Sequence, residues 1–196
     1  TNPELFTKKL DNQSSPDMDN MPLIIAVRTS HYFRGKLPNE ERANDAQLTP
    51  LVYFSKPYND SSNLDFIKEF RGAIVNTACE LQKNRQVYLM RPIPEMGIDV
   101  PKTLSRNILF GRGSEDIKIT LAEYHARHKL VWEAQDEEVE KCGVKILDPL
   151  PYLCDDQYCY GSKNGRPLYY DDDHLSEWGN KFLVPMFEQV FKDQKQ

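Results

Sequence analysis

Nowhere in the 196 residues does an apolar run approach the ~20 consecutive residues that a helix needs to cross a bilayer. A basic surplus is missing as well. Lys plus Arg total 25 against 30 for Asp plus Glu, a net charge of −5. Without a basic stripe the chain has no grip on phosphate backbones, so nucleic acid is disfavoured as a partner. The opening, Thr1 to Asn20, has neither the basic head nor the apolar centre of a secretory leader. Any export signal or membrane anchor is expected to lie outside these residues or not to exist. Internal repeats are absent too. What is present suffices for a folded domain: 39% hydrophobic and 28% charged residues give a core and a soluble surface.

The patterning alternates between strand and helix. Residues 1–20 are polar, with Ser14-Ser15-Pro16, and read as a flexible lead-in; the domain proper is expected over 21–196. Pro22-Leu-Ile-Ile-Ala-Val27 is an unbroken apolar run rich in β-branched residues, which suits a parallel strand buried on both faces. Leu51-Val-Tyr-Phe54 reads as a second, shorter strand. Leu64, Ile67, Phe70, Ile74, Ala78 and Leu81 then recur at helical spacing, and Gln86 to Met90 returns to strand. The Pro-rich stretch 92–112 reads as a long excursion over a sheet with a short helical piece. Leu121 to Glu140 is helix-like, and Val144 to Leu147 strand-like. Trp178, Phe182, Met186, Phe187, Val190 and Phe191 mark a last helix, which Pro185 should kink or split. Alternation of this kind predicts an α/β fold with a mainly parallel sheet.

Several clusters carry candidate chemistry. Cys154 and Cys159 enclose Asp-Asp-Gln-Tyr, a spacing that admits a small disulfide ring, half of a metal site or free thiols. Cys79 and Cys142 stand singly in helix-like sequence, which leaves a zinc site short of paired ligands. In Asp171-Asp-Asp-His174 a carboxylate three residues before a histidine can bend back onto the ring. That contact would select one tautomer and stabilise an imidazolium. The plainer reading is a solvated acidic loop leading into a helix capped by Ser176. Glu123, His125 and His128 are neighbours on a predicted helix; they match no His-Glu-x-x-His site and read as a solvated face, with no metal assigned.

Leu153-Cys154 to Cys159, followed by Gly165-Arg-Pro-Leu-Tyr-Tyr-Asp-Asp-Asp-His-Leu-Ser176, resembles the end of the SGNH domains that are fused behind the membrane part of acyltransferase-3 enzymes. Pro22 to Arg28 resembles the third-block strand of that family. Val87 to Pro101, with its Pro94-Glu95 and Asp99-Val-Pro101, resembles the strand and loop that come later. The resemblance runs over roughly residues 20 to 192. It implies a flavodoxin-like, three-layer α/β/α fold facing the periplasm, at the inner membrane of a bacterium. It further implies O-acetylation of a surface polysaccharide such as lipopolysaccharide, with an acetyl donor, a sugar acceptor, a membrane acyltransferase domain as partner, and no cofactor. His174 would be the general base and Asp171 its orienter. An oxidising location would also favour a Cys154–Cys159 disulfide.

The family's Gly-Asp-Ser block, which supplies the nucleophile, has no counterpart in the 196 residues. The N-terminal strand or strands of the fold are therefore expected to be missing from this stretch, and the serine to come from outside it. Arg28 matches the Arg of the third block in fused relatives, although Thr29 stands where they carry Trp. It is a candidate substrate or oxyanion residue, against the reading of an ion-paired strand-end arginine. His31 lies just beyond it, with no role implied. Asp60-Ser61 lacks the glycine and opens a helix, where either residue is a natural cap; Ser114 sits in a loop not known to hold a nucleophile. Neither is expected to serve. Two other outcomes compete with acetyl transfer: esterase or deacetylase chemistry on the same site, and a non-catalytic fragment or binding module.

Overall fold

The computed structural model describes residues 21–35, 50–52, 55–113 and 115–193. The expected lead-in 1–20, Tyr53-Phe54 of the expected second strand and Ser114 lie outside them. Leu51 and Val52 are not in a strand. The chain forms two compact units.

The first unit takes in the described residues up to Gly35, 50–92 and Lys129–Leu147. Its sheet is parallel throughout. Strands β1 (Leu23–Ile25), β2 (Val87–Met90) and β4 (Lys145–Leu147) stand in the order β1-β2-β4, with Ile25 opposite Leu89 and Leu89 opposite Ile146. All of β2 but its last residue is buried, as a central strand should be. The first strand departs from expectation. It is an edge among the described strands, and Ile24 and, just beyond it, Val27 are exposed. A run that apolar at the edge of the described strands is a ready template for another strand.

Helix α1 (Thr29–Arg34) follows β1, and α2 (Leu64–Gln82) matches the helical spacing of its apolar residues. Its cap is neither Asp60 nor Ser61. Asn63 Oδ1 accepts from the amides of Asp65 and Phe66 at 3.0 and 3.2 Å, while Asp60 is occupied with Ser62. Phe66 and Phe70 pack with Phe33 and Tyr58; Ala78 and Leu81 pack onto Val87, Leu89 and Val144 beneath the sheet. Helix α4 (Leu121–Cys142) gives this unit its residues from Lys129 onward. Arg91, at the end of β2, is buried against it. Its guanidinium stacks 4.0 Å from the centre of the Trp132 ring, donates to Trp132 O and Gln135 Oε1, and pairs with Asp136. The two cysteines that had no evident partner in the sequence are bonded to each other: Cys79 of α2 joins Cys142 of α4 across a separation of 63 residues.

A cleft of about 850 Å3 opens in this unit beside β1, walled by Ile25, Val27, Phe70, Ile74, Leu89 and Val131. Glu138 also lines it and is 3% exposed. Burial pushes this carboxyl up to about 7, with Arg91 pulling it down and Glu137 pushing it further up. The unfolded chain releases this proton near the ordinary value of 4.5, whereas the folded chain holds it until about pH 7. The unfolded state thus binds fewer protons in that window, and stability falls as pH rises through it. A shift of this size corresponds to about 3 kcal/mol at most. Glu138→Gln should therefore leave stability at pH 4 little changed and raise it at pH 8, flattening the slope between. Urea midpoints measured at both pH values test this; equal slopes for the two proteins would refute it.

The second unit takes in Ile93–His128 and the described residues from Asp148. Helix α3 (Val100–Leu109) begins at Asp99, whose carboxylate accepts from the Lys102 amide at 2.9 Å. The start of α4 is a reciprocal capping box. Thr120 Oγ1 accepts from the Glu123 amide at 3.1 Å, and Glu123 Oε2 accepts from the Thr120 amide at 2.7 Å. Two small antiparallel pairs were not expected: β3 (Lys118–Thr120) with β5 (Tyr158–Tyr160), and β6 (Ser162–Lys163) with β7 (Arg166–Pro167). Asn164-Gly165 closes the second pair with both residues at positive φ, the turn that an Asn-Gly dipeptide favours. The short helix α5 (Leu150–Leu153) leads into a Cys154–Cys159 disulfide. The last helix is indeed split, into α6 (Glu177–Lys181) and α7 (Val184–Asp193) with Pro185 in the first turn of the second. Met96, Val100, Leu104, Leu168 and Tyr169 form the core.

Candidate active site

The loop from Tyr169 to Ser176 is tied down by backbone and side chain alike. Tyr169 is fully buried and donates its hydroxyl to Pro94 O at 2.8 Å. The carbonyls of Asp172 and Asp171 accept from Met96 N and Val100 N at 2.8 and 3.1 Å. The stretch from Pro94-Glu95 to Asp99-Val-Pro101, singled out in the sequence, is thus what holds the acidic loop. On the other side, Ser176 Oγ caps α6 by accepting from Gly179 N at 3.0 Å. Gly179 has no substitute there, because a Cβ would lie 2.0 Å from Leu168 O.

Within this frame Asp171 folds back as its spacing predicts. Its Oδ1 accepts from the amides of Asp173 and His174 at 3.0 and 2.8 Å, and its Oδ2 lies 2.8 Å from His174 Nδ1. A second carboxylate reaches the same nitrogen: Asp173 Oδ1 stands 2.9 Å away. Burial pushes Asp171 up, but the amide donors of Asp173 and His174, with the His174 ring, outweigh it and hold the carboxyl below its ordinary range. The histidine side chain itself is 72% exposed, a ring gripped at one nitrogen and open to solvent on its surface.

Compared with known protein families, residues 4–189 match the SGNH domain (fused to AT3 domains). The chain belongs to this family. A solved structure with the same fold is the periplasmic domain of the lipopolysaccharide acetyltransferase of Salmonella ser. Paratyphi A, at 18% identity and a TM-score of 0.50. The match covers 74% of this chain and 55% of that one, so this SGNH domain spans about half the length of that structure. No curated protein matches the sequence.

The other candidates of this SGNH domain fall into place by their surroundings. Arg28 stands in the first unit, between the carboxyl end of β1 and the first residue of α1, where it occupies the helix-capping position without a side-chain cap bond. Carboxyl ends of parallel strands are where α/β sheets bind their ligands. His31 lies within α1, its ring edge-on to Tyr32. Ser61 is buried, and Asn63 rather than it begins the helix. Glu123 is consumed by its capping box, a Thr-x-x-Glu signal legible in the sequence. His128 corrects the expectation of a solvated pair: it is buried, with its ring 4.6 Å from that of Tyr124. Glu95, within the segment that anchors the acidic loop, forms a buried ion pair with Arg127 at 2.9 Å. Among the described residues, the only three acidic or histidine donors close enough to share a metal ion are Asp171, Asp173 and His174, within 4.8 Å of one another. Hydrogen bonds inside the loop already account for that proximity.

Proposed function

We propose that this SGNH domain is the C-terminal part of the periplasmic portion of a polysaccharide O-acetyltransferase, working by acyl transfer with a serine supplied from outside these 196 residues. The observation that carries the reading is the His174 ring, exposed on its surface and bonded at Nδ1 to Asp171. Nδ1 bonded to carboxylate makes Nε2 the basic nitrogen, the tautomer a general base needs.

The serine Oγ attacks the acetyl carbonyl while His174 Nε2 takes its proton. The tetrahedral intermediate then collapses, the donor's leaving group departs with that proton, and an acetyl-serine ester remains. A sugar hydroxyl attacks this ester, again giving its proton to His174, and the serine leaves and is reprotonated. Asp171 holds the ring and offsets the imidazolium charge in both halves. Arg28, at the carboxyl end of β1, is the substrate or oxyanion candidate of the first unit. No cofactor is called for. Fusion to AT3 domains in the family supports a membrane acyltransferase domain as the partner and the periplasmic face as the location. The two disulfides fit an oxidising compartment. The exposed edge of β1 and the apolar cleft beside it suit an additional strand, the element that would bring the serine.

The absence of a Gly-Asp-Ser triplet favours a second reading, a non-catalytic module. A fluorophosphonate probe, with mass mapping of the parent membrane protein in detergent, separates the two. Acetyl transfer predicts one labelled serine outside residues 1–196, with labelling lost in His174→Ala. No label, or a label on Ser61, would overturn it.

A further inference from the structure

We infer that Asp173 is a second positioning residue for His174, its carboxylate set as a charge against the same Nδ1 that is hydrogen-bonded to Asp171. The inference rests on the reading of His174 as the base. Adjacent side chains normally diverge, and sequence spacing gives Asp173 no claim on its neighbour. The loop turns it inward because Asp171 Oδ1 gathers the amides of both Asp173 and His174, and because Tyr169 and Leu175 bridge across the turn. The distances from Nδ1 are then nearly equal, 2.8 Å to Asp171 and 2.9 Å to Asp173.

The two carboxylates differ in surroundings. The Asp173 side chain is 4% exposed and that of Asp171 31%. A buried charge acts through a less screened medium, so the Asp173 carboxylate favours the imidazolium beside it, and the imidazolium in turn offsets the cost of burying that charge. With both carboxylates at one nitrogen, the two negative charges are partly offset by the single positive charge that forms between them. The ring is then biased toward protonation and locked with hydrogen on Nδ1. Other charged groups on the elements against the loop are committed elsewhere. Glu95 pairs with Arg127, Asp99 caps α3, and Glu177 pairs with Lys181 on α6. Asp172 accompanies them on the loop itself, with the phenols of Tyr169 and Tyr170.

Titration of the His174 imidazole by NMR in the 196-residue chain tests this, the resonance being assigned by its loss in His174→Ala. The wild-type midpoint should lie above the ordinary histidine value of about 6.5. Asp171→Asn keeps an acceptor for the two amides, and its midpoint should fall yet stay above that value, since Asp173 remains. Asp173→Asn should also lower the midpoint, and the double variant should reach the ordinary value. If Asp171→Asn alone brings His174 to the ordinary value, the inference is overturned, and that arm decides even where Asp173→Asn does not fold. An unchanged midpoint in a folded Asp173→Asn chain overturns it equally. No nucleophile takes part in this titration, so its outcome is separate from that of the serine-labelling experiment.

Discussion

His174→Ala should reduce acetyl transfer by the parent protein ~10^4- to 10^6-fold, the scale seen when a triad histidine is removed from other acyl-transfer enzymes. The reason is chemical. Without the ring, the serine proton has no acceptor in the attack and the leaving group has no donor in the collapse. Folding should survive. The side chain is 72% exposed and belongs to none of the hydrophobic cores. The expected cost is that of the lost hydrogen bond to Asp171, about 1–2 kcal/mol, small against the roughly 5–15 kcal/mol by which domains are stable. Transfer rates and circular dichroism on the same preparation check both halves. Substantial activity in a folded variant would remove His174 from the mechanism. Because Asp173 stays on Nδ1, Asp171→Asn should be markedly less damaging than loss of the histidine.

The disulfide that sequence reasoning did not pair should matter more to stability than the one it singled out. Bridging Cys79 to Cys142 closes a loop of 63 residues, and the loss of unfolded-chain entropy amounts to about 4 kcal/mol. Cys154 and Cys159 are only 5 residues apart, and the same relation gives about 2 kcal/mol. The longer bridge also joins the ends of α2 and α4 at the cluster of Ala78, Leu81 and Val144, with Cys142 packed against it, so its removal loosens packing as well. Cys79→Ser with Cys142→Ser should lower the melting temperature by about 10 °C. The matching pair at Cys154 and Cys159 should lower it by about half as much. Thermal unfolding of both variants at one protein concentration decides the matter, and equal or reversed effects would contradict the loop-length argument.

Much of this protein is legible locally. Helix α2 follows from six apolar residues at helical spacing, the break before α7 from Pro185, and the α6 cap from Ser176. The Asp171–His174 contact is equally local, since three residues separate a carboxylate from a ring it can reach within one turn of chain. The capping box at Thr120 and Glu123 and the Asn164-Gly165 turn are local in the same way, each set by residues within four positions of one another. The three-residue strands β3 and β5 are a different case, because so few alternating positions carry no usable period.

What the residues by themselves determined, then, is the alternation of strand and helix, the acidic loop with its histidine, and the lack of a Gly-Asp-Ser nucleophile. Only the tertiary structure decided that Cys79 bonds Cys142, that β1 is an edge among the described strands with Ile24 exposed, and that His128 is buried. It also decided that Asp173 joins Asp171 on His174. Local features follow from neighbours along the chain, whose distances the backbone geometry dictates. The others depend on which distant segments meet, and a single sequence does not record those meetings.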